Sequence, residues 1–305
     1  MSQPFFYCSE LSRGFKERTY GTASTGDVWL LLEYPYWWGA KAFQESALSP
    51  AVKAHLNRAL KSIRRARLLF IKQDRIAGSE LSIFIVRSSE TDPSIVKLKI
   101  KNYEQLLDID LASAAGASLT NGIRVESPLY LVCAHGRRDK CCAKFGYPVY
   151  KALRERAGVS VWQSSHVGGD RFAANLVLFP HGLFYAHVTE ESSRAIIDEY
   201  AGRRLVLDKY RGRACYSHPT QAAEFFIRSE TGLTGIDELR LMGCEPVEKG
   251  AWRARFAEPD EGTIHEAKVV SVMSEFQSYV TCHSTAEHSV VQYLLDDYRA
   301  LAGKS

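Results

Sequence analysis

Apolar residues fall along this chain in two alternating patterns, short strand-like runs and helical stripes, which together predict a mixed α/β fold. Residues 27–33 (DVWLLLE) form a near-continuous apolar run, the pattern of a strand buried on both faces. Ser49-Pro50 then supplies an N-cap and a first-turn proline. The helix they open is predicted to reach about residue 63, with Val52, Leu56, Leu60 and Ile63 on one face. Strands are expected over 67–72, 81–87 and 95–100, and a short helix over 103–109.

The middle of the chain repeats that order. Residues 128–133 read as a strand, 144–156 as a helix stopped by Gly158, and 159–164 as a strand. Strands at 175–179 and 183–188 are joined by Pro180-His181-Gly182, a hairpin signal. Ser192 or Ser193 is expected to cap a helix through Tyr200. The order strand, helix, strand, strand, strand, helix matches the thioredoxin topology. Two thioredoxin-like units in tandem are therefore expected. Residues 32–39 of the first, which lacks the loop cysteines, would stand where 133–142 stand in the second.

The predicted organisation is an N-terminal α/β unit over 1–124, a thioredoxin-like domain over 125–212 and a small α+β region over 213–305. In the last, His218-Pro219 opens a helix to about Arg228, and strands are expected at 251–256, 267–273 and 279–282. A winged-helix-like module is the weakly patterned expectation there.

Composition narrows the class. A chain of 305 residues can bury a sizeable core and usually divides into two or three domains. Net charge is +4, and the densest basic run, Lys61-Ser62-Ile63-Arg64-Arg65-Ala66-Arg67, reads as a solvated helix end. That argues against a nucleic-acid partner. The opening MSQPFFYCSELSRG lacks the basic and apolar regions of a signal peptide, and the apolar runs are too short to span a bilayer, so a cytoplasmic protein without a membrane partner is expected. Oligomeric state leaves no mark in the sequence.

Seven cysteines (8, 133, 141, 142, 215, 244 and 282) change the picture more. An odd number without an export signal argues against a disulfide framework. Three lie in one ten-residue segment, Cys133-Ala134-His135-Gly136-Arg137-Arg138-Asp139-Lys140-Cys141-Cys142. It follows a strand and precedes a helix, where free backbone N–H groups and the positive dipole end stabilise thiolates. A second segment, His166-Val167-Gly168-Gly169-Asp170-Arg171-Phe172, also follows a strand. In a thioredoxin-like fold it lies beside the first, so that two ligands from each loop complete a four-ligand site.

These segments resemble the sucrase/ferredoxin-like family. The matching residues are Cys133, His135-Gly136, Arg138-Asp139, Cys142 and Gly146, then His166, Gly168-Gly169, Phe172-Ala173 and Asn175, with Cys8-Ser9, Gly21-Thr22-Ala23 and Trp29-Leu30-Leu31 to Gly39 towards the start. The resemblance covers roughly residues 7–215. It implies a thioredoxin-like ferredoxin domain with a [2Fe–2S] cluster held by two Cys and two His. Carried over, the ligands are Cys133, Cys142 and His166, and the second histidine falls on Asp170. That departure leaves the fourth ligand open between Asp170, His135 and Cys141, with Asp170 first. Imidazole ligation implies a potential above that of all-cysteine ferredoxins and coupling to protons.

The function expected is electron transfer with an unidentified redox protein or reductase, and no hydrolase site is found. Two rivals keep the same residues: a thiol–disulfide oxidoreductase using Cys142 with Cys133 or Cys141, and a structural zinc protein. The first lacks C-x-x-C spacing and leaves His166 without a task. Sucrose hydrolysis needs a carboxylate pair that the sequence does not present. Cys8, Cys215, Cys244 and Cys282 read as small core residues. His135 reads as a hydrogen-bonding loop residue, His181 as solvated, and His187 as a surface strand residue. Tyr34, Tyr36, Trp37 and Trp38 read as core or as a wall keeping water from the cluster. Arg137, Arg138 and Arg171 are candidates for docking an acidic partner.

Overall fold

Two strand–helix–strand units, each with a following hairpin, build one sheet in the computed structural model, which describes residues 6–74, 80–116, 122–260 and 262–302. A short helix α1 (Cys8–Gly14) comes first, then β1 (Val28–Glu33), α2 (Pro50–Ser62), β2 (Ala66–Lys72), β3 (Leu81–Arg87) and β4 (Ser94–Ile100). Ser49 caps α2 by accepting from the Val52 amide at 3.4 Å, and Val52, Leu56 and Ala59 are the buried stripe. A 3-10 turn (Tyr103–Asp108), α3 (Leu111–Ala115) and the two-residue β5 (Ile123–Arg124) close the unit.

The second unit comprises β6 (Leu129–Cys133), α4 (Lys140–Ala157), β7 (Val161–Ser164), β8 (Leu176–Phe179), β9 (Leu183–Tyr185) and α5 (Glu190–Ala201). Its strands pair as those of the first do. β1 runs parallel to β2 and antiparallel to β3, which pairs with β4. β6 runs parallel to β7 and antiparallel to β8, which pairs with β9. The strand orders β2-β1-β3-β4 and β7-β6-β8-β9 are the same, as tandem thioredoxin-like units require. β2 joins β7 antiparallel through Ile71↔Ser164 and Lys72↔Gln163, at the C-terminal ends of both strands. With β10 (Tyr210–Arg213) at the far edge, the units share one ten-stranded sheet. This junction brings the loop after β1 to the loop after β6.

The last portion is α6 (His218–Thr231) packed on an antiparallel meander of β11 (Arg240–Glu248), β12 (Ala251–Ala257), β13 (Ile264–Met273) and β14 (Val291–Leu301). Ala223 and Ile227 of α6 meet Ala254, Phe256, Ala267 and Val269 of the sheet. One helix on a four-stranded meander replaces the winged-helix-like module that the sequence suggested. Residues 279–282 lie in the long connection between β13 and β14 and not in a strand. No described helix is long and apolar enough to cross a membrane.

Two histidines depart from expectation. His181, in the turn after β8, is 7% exposed, with Nδ1 2.5 Å from the Tyr200 hydroxyl of α5. Burial pushes it down to about 4. His187 is partly buried against α1, its ring nitrogens 3.5 Å from Ser9 Oγ and 3.4 Å from Ser12 Oγ, and burial pushes it down to about 3. The unfolded chain binds a proton at each near pH 6.5, whereas the folded form resists until far lower. Stability is therefore expected to fall as the pH drops through the unfolded value, by roughly 2 kcal/mol from His181 between about pH 7 and pH 5. Urea midpoints at the two pH values measure this. His181→Gln should flatten the dependence; an equally steep one would place the titration elsewhere.

Candidate metal centre

The strand ends set the site. Cys133 is the last residue of β6, and Asp139 caps α4 by accepting from the Cys141 amide at 2.9 Å. The helix therefore starts at Lys140, earlier than its apolar stripe suggested, and Cys141 and Cys142 lie in its first turn. Gly146 lets α4 approach β6, since a Cβ there would sit 2.0 Å from the Cys133 carbonyl oxygen. Bare backbone thus brings Cys142 over the end of the strand that carries Cys133.

The second loop is held from beneath by Arg211, which is buried. Its Nη1 donates to the Gly168 carbonyl at 3.0 Å and to Asn175 Oδ1 at 2.7 Å. Asn175 in turn donates to the Gly169 carbonyl at 2.8 Å. Gly168 and Gly169 carry φ of +95° and +80°, the left-handed region where glycine is free of strain. The turn aims His166 and Asp170 back toward the cysteines.

Donor atoms of Cys133, Cys142 and His166 converge within 4.8 Å of one another. Asp170 stands beside two of them, with Oδ1 3.5 Å from Cys142 Sγ and 2.9 Å from His166 Nδ1. The latter contact is an ion pair when the ring is protonated. Hydrogen bonding from Cys142 holds the Cys133 thiol well below its ordinary range, with His166 adding to the effect, and Cys142 is raised by the same shared proton. Burial opposes charge on His166, but Asp170 and the Cys133 sulfur outweigh it and lift the ring to about 9. Two sulfurs, an imidazole and a carboxylate crowded together are the donors a metal or cluster takes up.

His135 sits apart from that donor set. Its Nδ1 accepts from the His166 amide at 3.2 Å, so Nε2 carries the proton that goes to the Gly39 carbonyl at 2.7 Å. Both ring nitrogens are occupied, and the residue ties three loops together. Trp38 is buried edge-on to this ring at 5.7 Å, whereas Tyr36 and Trp37 are 60% and 61% exposed, so only part of the aromatic group is core. Arg137 lies over Trp37 at 4.8 Å. An open cleft of about 540 Å³, lined by Phe43, Leu68, Phe70, His135, Arg138 and His166, leads from solvent to the His166 ring.

Cys141 faces elsewhere. Its sulfur is 3.5 Å from Cys8 Sγ and 3.2 Å from Cys282 Sγ. Cys8 and Cys282 are buried, as their reading as small core residues expects, and with Cys141 and Asp139 they make a second buried group. No spacing rule could have found it, because the partners lie 133 and 141 residues from Cys141. Cys215 and Cys244 are half-buried and belong to neither group.

The sequence profile of sucrase/ferredoxin-like proteins matches residues 19–212. The chain belongs to the sucrase/ferredoxin-like family. Among curated proteins, altered inheritance of mitochondria protein 32 of Debaryomyces hansenii is 34% identical over 96 residues, covering 28% of this chain and 35% of that one. The Meyerozyma guilliermondii protein of the same name is 30% identical over 99 residues, covering 29% and 35%. This chain thus spans about a third of the length of those relatives. Two cysteine-to-serine variants of the thioredoxin-like [2Fe–2S] ferredoxin from Aquifex aeolicus align with 28% of this chain and 97% of their own, at 16% identity and TM-scores of 0.25 and 0.26. The strand order itself is that of the thioredoxin-like fold.

Proposed function

We propose that this family member carries a [2Fe–2S] cluster on Cys133, Cys142, His166 and Asp170 and passes single electrons to a redox partner. The observation that carries the proposal is the convergence of two thiols and an imidazole from two loops on one point, with a carboxylate at its side. When bound, the cluster supplies a one-electron couple. The chain's own residues supply the rest. Arg211 and Asn175 fix the turn that presents His166 and Asp170. His135 locks the cysteine loop to the first unit. Buried side chains around Cys133 and Cys142, among them Leu131, Trp162 and Val167, exclude water from the sulfur side. The one ligand with solvent access is His166, 24% exposed on the cleft, which makes it the exit for an electron. Arg138 on the cleft wall gives an acidic partner a place to dock.

Oxygen-free purification of the full chain tests the proposal. Expected are a brown protein, about two irons and two sulfides per chain, and bands that bleach on dithionite. A colourless chain with zinc bound by Cys133 and Cys142 would replace the proposal with the structural-zinc reading. A metal-free chain that reduces insulin disulfides would replace it with the oxidoreductase.

A further inference from the structure

We propose that Cys8, Cys141 and Cys282, together with Asp139, form a second, separate metal site that binds one zinc-class divalent cation. The three sulfurs make a triangle with edges of 3.5, 3.2 and 3.7 Å. Four ligands at zinc–thiolate bond lengths stand about 3.8 Å apart at the corners of a tetrahedron. A disulfide would need about 2.0 Å. The spacing is therefore that of three separate sulfurs around one point, slightly contracted.

Asp139 completes the set. Its Oδ1 accepts from the Cys141 amide at 2.9 Å and its Oδ2 from the Cys282 amide at 2.7 Å, which fixes the carboxylate plane. Both oxygens lie 3.9 Å from Cys8 Sγ, and each keeps a lone pair for a metal. All four residues are buried, with Phe6, Tyr7 and Phe145 packed around them. Among the described residues no lysine or arginine forms an ion pair with Asp139. A carboxylate held against three thiols in an apolar pocket is costly unless a cation joins them.

The two centres are neighbours but distinct. Successive residues of a helix project about 100° apart, so Cys141 and Cys142 leave α4 in different directions. Cys142 turns to Cys133 and Asp170, and Cys141 to the N-terminal helix and the β13–β14 connection. A cation there would tie three remote chain segments together. The site is thus structural in kind: four protein donors leave no open position for substrate.

Metal analysis of the full chain and its single variants decides the matter. Expected for the wild type is about one zinc per chain that survives dialysis. Cys282→Ser and Cys8→Ser should each lower zinc roughly ten-fold or more while leaving iron and the visible spectrum unchanged. Cys133→Ser should do the reverse. Cobalt added to the metal-free wild type should give tetrahedral thiolate charge-transfer and d–d bands that Cys282→Ser lacks, with Cys215→Ser as the unaffected control. Asp139→Asn, which still caps α4, should weaken cobalt binding roughly 10–100-fold with the circular dichroism unchanged, so a folded variant reports on the site. Three results would overturn the proposal: a reduced wild-type chain that takes up neither zinc nor cobalt, a Cys141–Cys282 disulfide in the native protein, or joint loss of iron and zinc in folded Cys282→Ser, which would make the two groups one centre.

Discussion

Cys133→Ala, Cys142→Ala and His166→Ala are each expected to leave the chain without iron or visible absorbance, a loss exceeding the roughly 10–100-fold that follows removal of an outer partner. His135→Ala should fall in that lower range, because its nitrogens serve Gly39 and the His166 amide and leave none for iron. Asp170 gives the sharper readout. Exchanging two thiolates for imidazoles moves such clusters from about −400 mV to about −150 mV or above, so one anionic ligand exchanged for a neutral one should matter on the order of 100 mV. Asp170→His is therefore expected to keep the cluster and raise its midpoint potential by that order. Film voltammetry of both proteins measures it. An unchanged potential in an iron-replete variant would remove Asp170 from the ligand set, and full iron in His166→Ala would remove the central premise.

The loops that make this site were legible for a physical reason. Each follows a buried strand, and the residues between Cys133 and Cys142, or between His166 and Asp170, are few enough that local turn chemistry brings them to one face. The tandem units were legible for the same reason, since strand and helix order is carried by local periodicity even where the halves share no visible identity. Their junction was not, because it depends on two residues of β2 meeting two of β7, and neither run differs in pattern from an ordinary strand end. This short contact sets Gly39 and Trp38 of the first unit against His135 of the second.

Long-range assembly also hid several features. Cys8 and Cys282 carry no motif, and only the folded chain shows what they meet. His181 read as solvated because a Pro-His-Gly turn usually faces water, yet α5 packs across it through Tyr200. In the C-terminal meander, β11 contains Gly243 and Pro246, which signal a turn. It is an edge strand with register shifts near both, where such residues are tolerated. β14 was masked by Asp296-Asp297 in the middle of an apolar run, and it too lies on an edge.

The largest expected loss of stability lies outside both cysteine groups, at Glu224 of α6. Its side chain is fully buried and accepts from Arg213 Nη2 at 3.2 Å, Arg228 Nε at 3.2 Å and the Tyr210 hydroxyl at 3.0 Å. The two arginines reach on to the carbonyls of Ile236, Leu233 and Gly235, so the network binds β10 and α6 to the segment that enters the meander. Glu224→Ala would strand two guanidinium groups in a site closed to solvent. Removing one partner of such a buried network costs about 3–5 kcal/mol, whereas replacing all its charges with apolar groups of like volume is often neutral. Urea unfolding of Glu224→Ala should show the first effect, and the triple variant Arg213→Met, Glu224→Leu, Arg228→Met should recover much of it. The exposed pair Arg156–Asp198 is the contrast, and Arg156→Ala should leave the midpoint unmoved. Were Glu224→Ala to unfold at the wild-type midpoint, the guanidinium groups would have to reach solvent without disturbing α6, and the contact between the main sheet and the meander would be looser than its geometry implies.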